Sequence, residues 1–310
     1  MYNFSGIAKV ALTLIATLSL ETTATGAESL VLNFGVYTSD KPSEMYKKFR
    51  PMLKYLESTT AQELDCKTEI KLRIFKSYEE ATEALVDGTI DFVRFGPASY
   101  IHAKDRNPGI SILAAELNNG KKIFQGVIFV RSNSPIKTLA ELKGKSFAFG
   151  NEFSTIGRYL SQVELVRAGI FSGELERYEY LGRHDRVATA VLHGKFDAGA
   201  AKERTFNKYA EKGLRALKAF DNITKPWVAR AKMKPKVVAA LRNGLVNLKD
   251  KMILVTLGKS LSGFEEDVSD STYDFVRQGI KNSTKFFGVT TDNFTRQGSK
   301  KVAGKQPRTD

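Results

Sequence analysis

Short apolar runs alternate along the chain with stretches whose apolar positions recur every three or four residues. That pattern predicts strands alternating with helices, hence an α/β architecture with mainly parallel sheets. Leu30 to Val36 reads as the first strand. Met45, Phe49, Met52, Leu53 and Leu56 fall at helical spacing behind Pro42, a residue suited to a first helical turn, and Pro51 is expected to kink that helix. Ile70, Leu72 and Ile74 alternate with Lys71 and Arg73, as in a half-buried strand. Tyr78 to Val86 is helical and stops at Gly88, and Ile90 to Phe95 is the next strand. Ile123 to Val130 is apolar enough to cross between two units. A short helix (Leu139 to Lys143), a strand (Ser146 to Phe149) and a helix from Thr155 to Ala168 closed by Gly169 follow. Leu217 to Phe220, or the segment through Trp227, could cross back, and Pro235 opens a helix through Leu248.

One stretch repeats. Ala84-Leu85-Val86-Asp87-Gly88-Thr89-Ile90-Asp91 resembles Ala190-Val191-Leu192-His193-Gly194-Lys195-Phe196-Asp197. In each, a helix ends at glycine and an apolar residue followed by aspartate opens a strand. The repeat points to two similar lobes. The expected plan places 28–122 with 226–288 in the first lobe and 123–225 in the second. Ligands of such folds bind in the crevice outside the carboxyl ends of the strands.

The N-terminus changes the picture of location. Lys9 precedes an apolar run from Val10 to Leu20, too short to span a bilayer, and Ala24, Thr25, Gly26 and Ala27 follow. Residues 1–27 read as a signal peptide, so a secreted, periplasmic protein is expected, with no lipid anchor because no cysteine lies near the cleavage site. The only cysteine, Cys66, excludes an intramolecular disulfide. With three histidines beside it, no structural zinc site is expected, and neither is a cofactor. The net charge of +14 suits an anionic partner. The basic residues are scattered, apart from the tail 289–310, which lacks apolar periodicity and is expected to be disordered. Nucleic acid is not an expected partner.

Three loops fall at strand ends ahead of helices: Phe95 to Tyr100, Gly150 to Gly157, and Gly182 to Asp185. Helix N-termini present unpaired N–H donors and partial positive charge, and serine or threonine hydroxyls there add donors. Capping alone also accounts for Ser154, Thr155 and Asp185 at such positions.

Phe95-Gly96-Pro97-Ala98-Ser99-Tyr100, Phe147-Ala148-Phe149-Gly150 running into Ser154-Thr155-Ile156-Gly157, His184-Asp185 followed by Phe196-Asp197-Ala198-Gly199-Ala200, and Pro226-Trp227-Val228-Ala229-Arg230 resemble the phosphate/phosphite/phosphonate-binding (PhnD-like) solute-binding proteins. The resemblance runs from about Leu32 to Phe287. It implies a type II periplasmic-binding-protein fold: two lobes with mixed, mainly parallel sheets, joined by a hinge. It also implies lobe closure around a small phosphorus-type oxyanion for an ABC importer, by a monomer. Carried over on matching motifs, the ligand positions are Tyr37, Ser99, Tyr100, Ser154, Thr155, Ile156, His184, Asp185 and Glu203. Ile156 stands where relatives usually have serine, Asn151 replaces a common aspartate, and Arg94 is an unusually polar residue before the first loop. A carboxylate of Asp185 or Glu203 would accept a hydrogen bond from a protonated ligand oxygen and favour phosphate, phosphite or phosphonates over sulfate. The alternative in the same class is a sensory protein presenting an oxyanion, arsenic oxyanions included, to a membrane histidine kinase. An enzyme is not expected: neighbouring His184 and Asp185 point in different directions and no third member joins them, while His102, in an expected helix, and His193, at a helix end, read as surface residues.

Overall fold

The computed structural model describes residues 29–38 and 42–288, so the expected signal peptide and basic tail lie outside the described residues. Strand β1 (Ser29–Tyr37), helix α1 (Pro42–Leu64), β2 (Lys67–Phe75), α2 (Tyr78–Val86), β3 (Phe92–Arg94), α3 (Pro97–Arg106) and β4 (Ser111–Asn118) come first. Then follow β5 (Ile123–Arg131), β6 (Ser146–Phe149), α4 (Ser161–Arg167), β7 (Arg177–Tyr180), α5 (His184–Leu192), β8 (Ala198–Lys202), α6 (Glu203–Ala210) and β9 (Leu214–Ile223). The chain closes with β10 (Pro226–Ala229), α7 (Pro235–Val246), α8 (Lys251–Leu257), β11 (Leu261–Glu265) and α9 (Asp274–Ser283).

Two sheets result. One runs β2-β1-β3-β10-β4-β11, the other β7-β6-β8-β5-β9. In the first, β2 and β3 flank β1 in parallel while β10 lies antiparallel to β3 and β4. In the second, β7 and β8 flank β6 in parallel while β5 lies antiparallel to β8 and β9. The order and the strand directions therefore correspond, except for β11 at one edge. The fold is α/β with two lobes and mixed sheets, as the resemblance implies.

The sequence repeat explains part of this correspondence. Asp91 accepts the backbone N–H of Asn33 at 2.8 Å, so it ties β3 to β1, and Asp197 accepts that of Ser146 at 2.9 Å, so it ties β8 to β6. An arginine at the end of the antiparallel strand completes each corner. Arg230 donates to Asp91 at 3.0 Å, and Arg131 donates to the carbonyls of Val191 and Phe196. Burial alone would push the pKa of Asp197 up, but the bonds from Ser146 and the charge of Arg131 hold its carboxyl below the ordinary value.

The apolar positions read as core are core. Leu32, Phe34 and Val36 of β1 meet Met45, Phe49, Met52, Leu53 and Leu56 of α1, all buried, and the Phe34 ring stacks on Trp227 at 4.9 Å. Ile123 to Val130 does not cross between lobes: it lies within β5, between β8 and β9. Layers on both faces of that sheet bury Val127, Ile128, Phe129 and Val130, hence the unbroken apolar run. Residues 119–122 make the crossing, and Thr224 and Lys225 make the return beside it, with Thr224 N–H bonded to the Lys122 carbonyl at 3.0 Å. The helix expected from Thr155 opens as a π-helical turn, Thr155–Leu160, before α4. The C-terminal stretch touches both lobes: Tyr273 and Val276 pack with Phe95 and Tyr100, whereas Phe286 packs with Phe147 and Phe149.

Candidate functional site

Residues at the carboxyl ends of β1, β3 and β8, near the end of β9 and in the loop after β6 line a cavity of about 50 Å³ between the two lobes. Its polar wall consists of Tyr37, Arg94, Ser154, Thr155, His184, Lys202, Asn222 and Lys225, with Met45, Phe49, Phe124 and Ile156 among the apolar contributors. One water-sized group needs about 10–15 Å³ of such space, so the cavity takes roughly three to five. That is room for a compact tetrahedral anion.

The loop after β6 is shaped by two glycines. Gly150 N–H donates to the Gly157 carbonyl at 2.7 Å, and a side-chain carbon on Gly157 would lie 2.8 Å from the Gly150 Cα. This backbone-on-backbone approach turns Ser154 to Ile156 toward the cleft. Ser154 caps the turn, accepting from Gly157 N–H at 2.9 Å. Its carbonyl accepts from Tyr159 N–H five residues on, at 3.2 Å, the bond that makes this turn a π-helix, a feature frequent at functional sites.

Three hydroxyls converge there, and each already accepts from a backbone N–H. Tyr37 accepts from Gly96 at 2.6 Å, Ser154 from Gly157, and Thr155 from Ala98 at 2.9 Å. A hydroxyl that accepts on a lone pair still has its proton to give. Capping and ligand donation are therefore compatible: the cap fixes the oxygen and the proton remains for an anion. Burial pushes the Tyr37 phenol up, only partly offset by the bonds from Ser99 and Gly96, so it stays protonated and able to donate.

The Thr155 bond also links the lobes, because Ala98 stands in the first turn of α3. A second link lies beside it, where His102 Nε2 and Tyr159 Oη are 2.9 Å apart. Burial pulls the His102 imidazole down in pKa, reinforced by Arg158 and opposed by Asp105.

Arg94 is held from behind. Its guanidinium makes a two-pronged pair with buried Glu116, one prong at 2.8 Å, and Trp227 Nε1 donates to the same carboxylate at 3.2 Å. Burial alone would push Glu116 up, but Arg94, Lys225 and the Trp227 bond together bring it below the ordinary value. Lys225 also sits over the Phe124 ring at 3.8 Å. Arg94 is thus paired from behind, and Lys202 and Lys225 also line the wall.

Of the residues singled out in the sequence, Tyr37, Ser154, Thr155, Ile156 and His184 line the cavity. Ser99 stands one bond behind, its Oγ donating to Tyr37 Oη at 3.5 Å. Tyr100, Asp185 and Glu203 do not line it. Tyr100 turns toward the C-terminal stretch, where it donates to Asp270 at 2.5 Å and packs on Tyr273; burial and Asp270 push its phenol up. Asp185 is held by the Arg183 guanidinium at 2.9 and 3.0 Å, and Glu203 is exposed in the first turn of α6. In this arrangement no carboxylate faces the cavity among its described lining, so the acceptor expected from Asp185 or Glu203 is not built there.

Sequence reasoning missed Lys202, Asn222 and Lys225, and noted Arg94 only as unusually polar. Lys202 had a usable signal, since it ends β8 where ligands are expected. Among the described residues no three His, Cys, Asp or Glu side chains are grouped to hold a metal, and no helix is long and apolar enough to cross a membrane.

A family model described as "ABC transporter, phosphonate, periplasmic substrate-binding protein" matches residues 34–273. The chain is 31% identical over 186 residues to the probable ABC transporter phosphite binding protein PhnD1 of Prochlorococcus marinus (strain MIT 9301), a match covering 57% of this chain and 59% of that protein. It is 23% identical over 197 residues to the phosphate-import protein PhnD of Mycolicibacterium smegmatis, covering 60% and 59%. The matches thus span about three-fifths of each curated relative. Among solved structures, Prochlorococcus marinus PhnD1 in complex with methylphosphonate superposes with a TM-score of 0.71 at 22% identity, covering 82% of this chain and 98% of that one. A binding-protein component of an ABC phosphonate transporter from Pseudomonas aeruginosa superposes with 0.73 at 18% identity, covering 84% and 88%. These two likenesses agree with the two-lobe fold. The match over residues 34–273 settles the family: the chain belongs to the periplasmic substrate-binding proteins of phosphonate ABC transporters.

Proposed function

We propose that the protein captures a small phosphorus-type oxyanion (phosphate, phosphite or a short phosphonate) by closing its lobes, and delivers it to an ABC permease as a secreted periplasmic monomer. The observation that carries this reading is the donor-rich cavity of about 50 Å³ between the lobes. Hydroxyls of Tyr37, Ser154 and Thr155 and the ammonium groups of Lys202 and Lys225 suit anionic oxygens. The relatives named for phosphite and phosphate import, and the methylphosphonate complex of similar fold, favour phosphorus chemistry. A ligand that binds only the folded form raises the melting temperature, and at a hundred times the dissociation constant the stabilisation is about 2.7 kcal/mol. Thermal melts with phosphate, phosphite, methylphosphonate and sulfate test the reading. At least one phosphorus anion should raise the melting temperature with increasing concentration. A flat response to all of them would sink it.

A further inference from the structure

We propose that Asn222 touches the bound oxyanion and selects species that keep one proton; the inference rests on the oxyanion reading above and deepens it. Asn222 is the penultimate residue of β9, opposite Phe124 of β5 and shortly before the return crossing at Thr224 and Lys225. Its side chain lines the cavity and the residue is 1% exposed, yet neither Oδ1 nor Nδ2 has a hydrogen-bond partner among the described residues. Thr224 Oγ1 is also buried without a partner, but it lies outside the cavity wall. A buried carboxamide left unsatisfied weakens the ligand-free protein, so its place in the wall calls for a partner that arrives with the ligand.

The rest of the wall decides which partner. Hydroxyls of Tyr37, Ser154 and Thr155, each already accepting a backbone N–H, have a proton to give to unprotonated oxygens. The Lys202 and Lys225 ammonium groups donate only, and besides Asn222 the wall holds the His184 imidazole, with a ring nitrogen able to accept. A ligand oxygen that carries a proton needs an acceptor. The carboxamide offers an acceptor and a donor side by side, the complement of a P–OH next to a P–O⁻. Sulfate has no proton to give, so Oδ1 would face a lone pair. This discriminates by leaving the wrong ligand against an unpaired polar group.

Calorimetric titration of methylphosphonate and of sulfate, at one mildly acidic pH, into wild type, Asn222→Ala and Asn222→Leu tests the proposal. Both variants should bind methylphosphonate about tenfold to a hundredfold more weakly. Their preference over sulfate should shrink. Their ligand-free melting temperatures should stay level or rise, because an unsatisfied buried amide is gone, whereas a purely structural asparagine would lower them. Wild-type affinity and wild-type preference in both variants would overturn the inference alone. Failure of the wild type to bind any phosphorus anion would overturn the functional reading and this inference together.

Discussion

At the residue scale the site depends on groups that serve two ends at once. Ser154 fixes its turn with a lone pair and has a proton to give, so the choice between cap and ligand contact that the sequence left open dissolves in the geometry. Arg94 supports the wall but is tied to Glu116, and that pair sets a pH dependence. Glu116 is 2% exposed and held below its ordinary value of 4.5, so its contribution to stability is fully present above that value and is lost as pH falls through the depressed one. Replacing it by glutamine leaves Arg94 buried beside a neutral group, and breaking a buried pair in this way costs about 3–5 kcal/mol. The expectation is that Glu116→Gln melts well below wild type at neutral pH and that the gap narrows on acidification below 4.5. Melting curves across pH check this, and a gap independent of pH would contradict it. Asn222, Lys202 and Lys225 were not legible as a group. Two are lysines among 48 basic residues, and the third looks like an ordinary strand-end asparagine. It pairs with Phe124, about a hundred positions earlier, which leaves no local pattern.

At the element scale, much was legible because the periodicities are strong and the punctuation is clear. The strand from Leu30, the buried stripe of α1 and the helix–glycine–strand repeat all appear where the pattern puts them. The run from Ile123 misled because an apolar stretch reads the same in a sheet covered on both faces as in a segment crossing between lobes. The π-helical turn at Thr155 was also hidden, since a single bond register set by the Gly150–Gly157 contact decides it. The repeat itself can be tested at Gly194. There φ is +73°, and a side-chain carbon would meet Arg131 Nη1 at 2.9 Å. At Gly144 φ is +71° with nothing within 4 Å. Alanine at Gly144 should cost about 1–2 kcal/mol, the penalty of the left-handed backbone alone. Alanine at Gly194 should cost more, because it also displaces the arginine that closes the corner. Chemical denaturation of the two variants checks this, and equal losses would mean that the Arg131 corner adds nothing.

At the scale of the whole molecule, the two lobes meet through the Ala98–Thr155 and His102–Tyr159 bonds in front of the crossing segments, and the C-terminal stretch packs on both. A groove beside the cavity, between α1 and α6, carries Lys47, Lys48, Lys202, Arg204 and Lys208 against Glu44. Under the proposed function this basic wall, with the net charge of +14, would attract an approaching anion. The central claim is that hydroxyl donors from the second lobe hold a small oxyanion in the closed cleft. Calorimetric titration of phosphate, phosphite and methylphosphonate into wild type and a Ser154→Ala/Thr155→Val double variant tests it most directly. Each lost bond to a charged group is worth about 1.5–3 kcal/mol, so the double variant should bind the preferred anion at least about a hundredfold more weakly. Equal affinities in the two proteins would contradict the account.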